Sequence, residues 1–279
     1  MVKIKEIRKK AAERLKSAEN DSPLADTDYI LKNMGFSKND ILLGDKELDE
    51  TRENDFWQAI NRVELGEPVQ YVTGKCEFMS LNFEVNSATL IPRSDTEILV
   101  ETVVEHCKGK KDINILEIGS GSGCIAVSLA KFLPNASVVS VDISSDALNV
   151  AQRNADSNGV SDRVEFVKHD ILSGFPVSGM LWDVIVSNPP YIPSGDIDGL
   201  DKKVKDFEPL TALDGGADGL DFYRFISKNA PFSKDGVLAF EVGINQAKAV
   251  ADMLSERFCD IKIAKDLSGI ERVVLGIIK

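Results

Sequence analysis

The residues best placed to do chemistry are Asn188, Pro189, Pro190 and Tyr191, where the apolar run of VIVSNPPYIP (184–193) breaks off. Two adjacent prolines remove two backbone donors and cannot continue a central strand. What is left is a side-chain amide, carbonyls without competing donors, and an aromatic ring. A planar –NH2 group is a weak nucleophile, because its lone pair is delocalised into a carbonyl or ring. The side-chain oxygen of Asn188 and the carbonyl of Pro189 could each accept one of its hydrogens. That grip would turn the lone pair towards an electrophilic carbon and favour pyramidal nitrogen. Tyr191 could stack on the planar group. The reaction would be an in-line displacement driven by positioning, with no general base required.

A loop for the electrophile lies upstream, in ILEIGSGSGC (115–124). Gly119, Gly121 and Gly123, with Ser120 and Ser122 between them, allow tight turning and close ligand approach. Their spacing is GxGxG, not the GxGxxG of dinucleotide sites. Glu117, just before the glycines, would repel a phosphate but suit a cation. S-adenosylmethionine carries an ammonium and a sulfonium and no phosphate. Asp142, 19 positions beyond Gly123, closes the second strand and could accept from both ribose hydroxyls. Asp170 closes the third and could accept from the adenine amino group, with Ile171 packing on the ring. Asn188 closes the fourth, beside the crevice at the carboxyl ends of the strands. Singly, Asp142 and Asp170 read equally well as acids that cap the next turn, and NPPY as a proline-ended strand with a packing tyrosine. Together, three acidic strand ends in register with a Gly-rich loop fit a class I methyltransferase and leave the methyl acceptor open.

The elements that must position these residues fall into three parts. Residues 1–66 read as helices: Ile4, Ile7, Ala11 and Leu15 recur at helical spacing, as do Phe56, Ile60 and Val63. Ser22 and Pro23 open one helix, and Gly35 stops it. Residues 69–92 change period, with Leu81, Phe83 and Val85 alternating as in a strand of a hairpin. From about residue 93 strands and helices alternate, which predicts a parallel, doubly wound sheet. The two closing strands have no helix between them, so the last should run antiparallel. The expected domains are a helical bundle at 1–68, a hairpin linker at 69–92 and a Rossmann-like, seven-stranded α/β domain at 93–279.

Composition excludes several functions. The 279 residues carry a net charge of −12, which disfavours non-specific DNA binding. The charge is uneven: residues 1–16 hold seven Lys or Arg against two Glu, a solvated helix face or a contact for a partner rich in nucleic acid. The four cysteines and two histidines show no metal-ligand spacing. The apolar runs are strand-sized, so no membrane span is expected, and the start lacks an apolar core of signal-peptide length. A cytoplasmic protein without metal is the expectation.

The chain resembles the PrmC/HemK family, which methylates the side-chain amide (N5) of a glutamine in class I peptide-chain release factors. The resemblance rests on GEPVQYVTGKCEFMSLNFEVN (66–86), LIPRSDTEILVE (90–101), EIGSGSG (117–123), VDIS (141–144), VSNPPYIP (186–193), FEPLTALDGGADGLDFYR (207–224) and KDLSGIERVVLG (265–276). It implies a helical N-terminal domain that docks the release factor, a hairpin linker and a catalytic domain. It also implies a cofactor, S-adenosylmethionine, leaving as S-adenosylhomocysteine and held by Gly119 to Gly123, Asp142, Ile171 and Asn188. Asn188, Pro189, Pro190 and Tyr191 would hold the target glutamine, and no direct DNA binding is implied. The family has PRPETE where this chain has PRSDTE; Ser94 and Asp95 can still cap the following helix. NPPY alone is shared with DNA adenine-N6 and cytosine-N4 methyltransferases, the rival enzymatic reading. A non-catalytic adaptor that binds the release factor is the rival of another class.

Overall fold

The computed structural model describes residues 1–176 and 179–279. Two compact units emerge: Met1–Lys75 with Asp201–Phe207, and Cys76–Leu200 with Glu208–Lys279. The first contains α1 (Ile4–Ser17), α2 (Pro23–Asn33), α3 (Lys38–Leu43), α4 (Glu50–Glu64) and α5 (Val69–Thr73). Its two-residue strands, β1 (Val2–Lys3) and β2 (Glu47–Leu48), pair antiparallel. The helical stripes define its core: Ile4, Ile7, Ala11 and Leu15 of α1 and Phe56, Ile60 and Val63 of α4 are all buried in one cluster. Burying side chains of this size contributes about 1.5–3 kcal/mol each. Ser22 stands at the N-cap of α2 without a side-chain bond to the helix. Ser37 instead makes a full capping box with Asp40.

The hairpin is shorter than its change of period suggests. VQYVT, rich in β-formers, folds as α5, so tertiary context overrides propensity there. The hairpin itself is β3 (Lys75–Phe78) and β4 (Leu81–Glu84), turning at Met79 and Ser80 with φ of 51° and 59°. Phe78 and Phe83 sink into the core of the second unit.

That unit is built on a seven-stranded sheet in the order β10-β11-β9-β8-β5-β6-β7. In chain order it runs α6 (Ser94–Cys107), β5 (Ile113–Ile118), α7 (Cys124–Phe132), β6 (Ala136–Asp142), α8 (Ser145–Asn158), β7 (Val164–Lys168) and β8 (Trp182–Ser187). A short helix, α9 (Lys202–Lys205), falls in the segment counted with the first unit. Then come α10 (Asp221–Asn229), β9 (Phe232–Glu241), α11 (Ala247–Leu254), β10 (Phe258–Lys265) and β11 (Glu271–Ile278). β5 pairs parallel with β6 and β8, β6 with β7, and β8 with β9. β11 lies between β9 and β10 and is antiparallel to both, as the missing crossover helix requires.

Strand alternation divides the core into two layers. Ile113 and Ile115 share one layer with Leu99, Val100 and Val103 of α6 and with the apolar residues of α7. Leu116 and Ile118 share the other with Tyr223 and Ile226 of α10 and Val250 of α11. The chain order reverses on either side of β5, where β6 and β8 flank it. In open α/β sheets that switch point, at the carboxyl ends, is where a crevice opens.

Candidate active site

A cavity of about 540 Å³ opens at that place, within the second unit. Its wall includes Gly119, Ser120, Gly121 and Ser122 after β5, Asp142 at the end of β6, Asp170 and Ile171 after β7, and Asn188, Pro189 and Pro190 after β8. Residues from four distant segments of sequence are thus brought to one hollow.

The Gly loop is held from two sides. Gly119 and Ser120 donate backbone N–H groups to the carbonyl of Val141 at 2.8 and 3.1 Å. Asn154 of α8 donates to the Ser122 carbonyl at 2.9 Å and also bonds the backbone of Glu84 in the hairpin. Gly123 has φ +78°, and a Cβ there would lie 2.9 Å from the Ala151 Cβ, so α7 and α8 pack as they do only over a glycine. Asp142 receives Gly121 N–H on one carboxylate oxygen at 2.9 Å and Ser144 N–H on the other at 2.8 Å. Each oxygen keeps a lone pair for a ligand, and the plane of the carboxylate is fixed.

Glu117 requires a correction. It is fully buried and is not part of the cavity wall. Strand alternation puts it on the face of Ile113 and Ile115, beneath α7. Its Oε2 accepts from Ser140, whose hydroxyl also meets that of Ser120 at 2.6 Å. Its Oε1 has no hydrogen-bond partner among the described residues. Burial pushes its carboxyl up to about 8, and the charge of Asp142 adds to the effect while the Ser140 bond opposes it. Glu117 therefore reaches the cavity only through Ser140 and Ser120.

Asp170 stands two residues beyond the end of β7 and receives Leu172 N–H at 3.0 Å, so it caps a turn while facing the cavity. Ile171 is buried against the same wall.

Tyr191 is not among the residues of the cavity wall. Its ring packs at Gly243, where a Cβ would fall 3.0 Å from the tyrosine Cδ2, and its carbonyl accepts from Gln246 at 2.9 Å. In this arrangement the residue also anchors the loop. Much of the remaining support comes from ALDGGADGLDFYR. Ile192 N–H bonds the Leu213 carbonyl, Gly215 N–H the Ile192 carbonyl and Ser194 N–H the Gly216 carbonyl, at 2.9–3.0 Å. The Ser194 hydroxyl adds a bond to Asp214 at 2.7 Å.

The segment PRSDTE supplies residues that motif reading missed. Arg93, at the N-cap of α6, pairs with the buried Glu208, and Asp95 pairs with Arg272 at 2.7 Å. Neither Ser94 nor Asp95 caps α6, because the helix begins at Ser94 and no side chain bonds its N-terminus. Thr96 accepts from the Asn188 side-chain nitrogen at 3.3 Å. Arg93 and Thr96 both line the cavity, and Arg93 is the one lysine or arginine among the described residues of the wall. Such a wall suits a cofactor without phosphates. The fixed carboxylate of Asp142, the apolar Ile171 and the Gly loop fit a nucleoside bearing a positively charged tail.

This sheet, with its antiparallel β11 and its glycine-lined crevice, defines a class I methyltransferase. Matches to known proteins narrow it. Residues 6–74 match the PrmC N-terminal domain and residues 91–199 the methyltransferase small domain. A release factor glutamine methyltransferase of Clostridium acetobutylicum is 37% identical over 99% of both chains. One of Moorella thermoacetica is 45% identical over 79% of this chain and 78% of its own. A methyltransferase structure from Pyrococcus furiosus, at 15% identity, covers 82% of this chain and 98% of its own with a TM-score of 0.51, a likeness of fold alone. The chain belongs to the release factor glutamine methyltransferase family.

Proposed function

We propose that the cavity binds S-adenosylmethionine, and that Asn188 and Pro189 hold there the side-chain amide of the glutamine in the Gly-Gly-Gln tip of class I release factors. When bound, the cofactor supplies an electrophilic methyl carbon on its sulfonium. Asp142 would take the ribose hydroxyls, Asp170 the adenine amino group, and Ile171 one face of the ring. The Gly loop would lie along the aminoacyl tail. The single observation that carries the reading is the bond from Asn188 Nδ2 to Thr96. It commits the nitrogen end of the carboxamide to the protein and leaves the oxygen end to accept from a substrate –NH2. The Pro189 carbonyl accepts the second hydrogen, and proline offers no N–H to compete. An amide held by both hydrogens has its nitrogen exposed for attack, which is catalysis by orientation. The methylated amide is then so acidic that water can take its extra proton.

The helical unit has a core of its own and would dock the body of the release factor. No helix among the described residues is long and apolar enough to cross a membrane, and release factors would be met in the cytoplasm.

The test is to mix the chain with S-adenosylmethionine and unmodified release factor. Mass spectrometry should find one added methyl, on the glutamine of the tip. Asn188→Ala should lower the transfer rate by about 100- to 1,000-fold, the scale for losing one preorganised polar group at a reacting centre. Cofactor binding should remain measurable by calorimetry. Transfer by this variant at the wild-type rate would refute the amide-holding role.

A further inference from the structure

We propose that Arg93 is a cofactor-binding residue: its guanidinium takes the carboxylate of the aminoacyl tail and selects a ligand that carries one. The inference deepens the reading above and rests on it for the identity of the ligand. S-adenosylmethionine has a single negative charge, that carboxylate, and most of the cavity is hostile to it. The wall carries four aspartates, Asp142, Asp170, Asp214 and Asp221, against Arg93 as the one lysine or arginine among its described residues. The aspartates suit the ammonium and the sulfonium. They repel a carboxylate, which therefore needs a partner of its own.

A glycine-rich loop leading into a helix is a ready cradle for an anion, but in this chain its donors are spent. Gly119 and Ser120 give their backbone N–H groups to the Val141 carbonyl. Gly123 gives its own to the Ser120 carbonyl at 2.7 Å, and Gly121 gives its own to Asp142 at 2.9 Å. Four of the five N–H groups of residues 119–123 are thus committed within the protein. An anion laid on the loop would also face the Asp142 carboxylate that Gly121 holds there.

Arg93 stands where the tail would end. In the sheet order β8-β5-β6-β7, the acids for ribose and adenine lie on one side of β5, at the end of β6 and beyond β7. The start of α6 lies towards the other side, because Thr96 accepts at 3.3 Å from Asn188, just past the end of β8. Thr96 N–H bonds the Arg93 carbonyl at 3.1 Å, which sets Arg93 one turn before it. A nucleoside laid over β6 and β7 therefore directs its tail towards Arg93. Glu208, with a side chain only 2% exposed, aims the guanidinium by bonding its Nη2. The other Glu208 oxygen has no hydrogen-bond partner among the described residues, so the carboxyl is bonded to Arg93 alone. The remaining N–H groups of the guanidinium make no hydrogen bond among the described residues, and the side chain is 41% exposed. Its planar fork matches a carboxylate with two parallel bonds.

Calorimetry on the full chain tests this with two ligands, S-adenosylmethionine and its decarboxylated form. The second keeps both cationic groups and lacks only the carboxylate, so the aspartates by themselves would favour it. Wild type should nevertheless bind S-adenosylmethionine about 10- to 100-fold more tightly, the scale for hydrogen bonds between charged groups. Arg93→Gln should lose that preference or reverse it. Arg93→Lys, which keeps the charge without the fork, should keep part of it. A ratio of two affinities on one protein cancels any general loosening of the fold. If Arg93→Gln does not fold, nitrogen-15 arginine labelling of wild type decides. The Arg93 Nε–H signal, identified by its absence from Arg93→Lys, should shift and exchange more slowly with S-adenosylmethionine and not with the decarboxylated form. Equal affinity of wild type for the two ligands, a full preference retained in Arg93→Gln, or an Arg93 signal that responds alike to both would overturn the proposal. Equal affinity leaves the cofactor assignment standing and removes only the role of Arg93. If wild type binds neither ligand, the cofactor assignment itself fails and this inference falls with it.

Discussion

Asp142 shows how a single residue can be both structural and poised for a ligand. Its two oxygens are held in plane by Gly121 and Ser144, so replacing it frees the Gly loop and removes two acceptors at once. Asp142→Ala should weaken S-adenosylmethionine binding by about 10- to 100-fold, since hydrogen bonds to a charged group contribute about 1.5–3 kcal/mol each. Binding of release factor should change far less. Calorimetry with each ligand separates the two, and an unchanged cofactor affinity would remove the ribose assignment. The place of Asp142 on the cavity wall was legible because its type, its strand end and its spacing from the glycines all pointed one way. Glu117 and Tyr191 fall outside the cavity wall for a common reason. Motif reading sees which residues stand near a site, but whether a side chain enters it depends on strand parity and on what packs behind. Parity was in fact available: Glu117 alternates with Leu116 and Ile118, so it lies opposite to them. Tyr191 had no such signal, because Gly243 and Gln246, which receive it, lie more than fifty positions away.

At the scale of elements, the loop that would grip the substrate is shaped by a second loop. Gly219 has φ +75°, and a Cβ there would lie 2.2 Å from the Tyr191 carbonyl oxygen. Gly219→Ala must push the NPPY loop away or twist its own turn, at a cost of about 1–2 kcal/mol for the left-handed backbone alone. Gly219 is not on the cavity wall, so cofactor affinity should stay near that of wild type while transfer falls at least about tenfold, as for any misplaced reacting group. Equal losses in both would show general unfolding, and no loss of transfer would show that the clamp is not needed. The seven strands and the antiparallel β11 were readable because apolar runs and the helices between them carry period and length. The clamp was not, since its turns bond backbone to backbone between segments about twenty residues apart and leave only a glycine-rich stretch in the sequence. The helix α5 was hidden for the opposite reason: five β-rich residues carry too little period to override a strand reading.

For the molecule as a whole, the two buried glutamates bear on stability. Glu117 and Glu241 keep their protons in the folded chain up to about 8 and about 7, against 4.5 for an ordinary glutamate. Between those values the folded state binds protons that the unfolded chain releases. The stability each contributes is therefore fully present below the ordinary value and lost as pH rises through the folded one. The slope approaches about 1.4 kcal/mol per pH unit for each group while it is protonated folded and ionised unfolded. Self-repulsion within a chain of net charge −12 acts in the same direction as the remaining groups ionise. Carboxylates held low by partners, such as Glu84 beside Arg153 and Asp218 beside Arg224, act oppositely, but only near and below the ordinary carboxylate range. The protein without cofactor should therefore be most stable in mildly acid solution and lose stability steadily towards pH 8. Denaturant unfolding at a series of pH values measures the slope. Glu117→Gln and Glu241→Gln should each flatten it, most between about pH 5 and the folded value of the residue removed, whatever either change does to stability at a single pH. If both variants keep the wild-type slope, the buried carboxyls are ionised in the folded chain, and the neutral Glu117 beneath the Gly loop is ruled out.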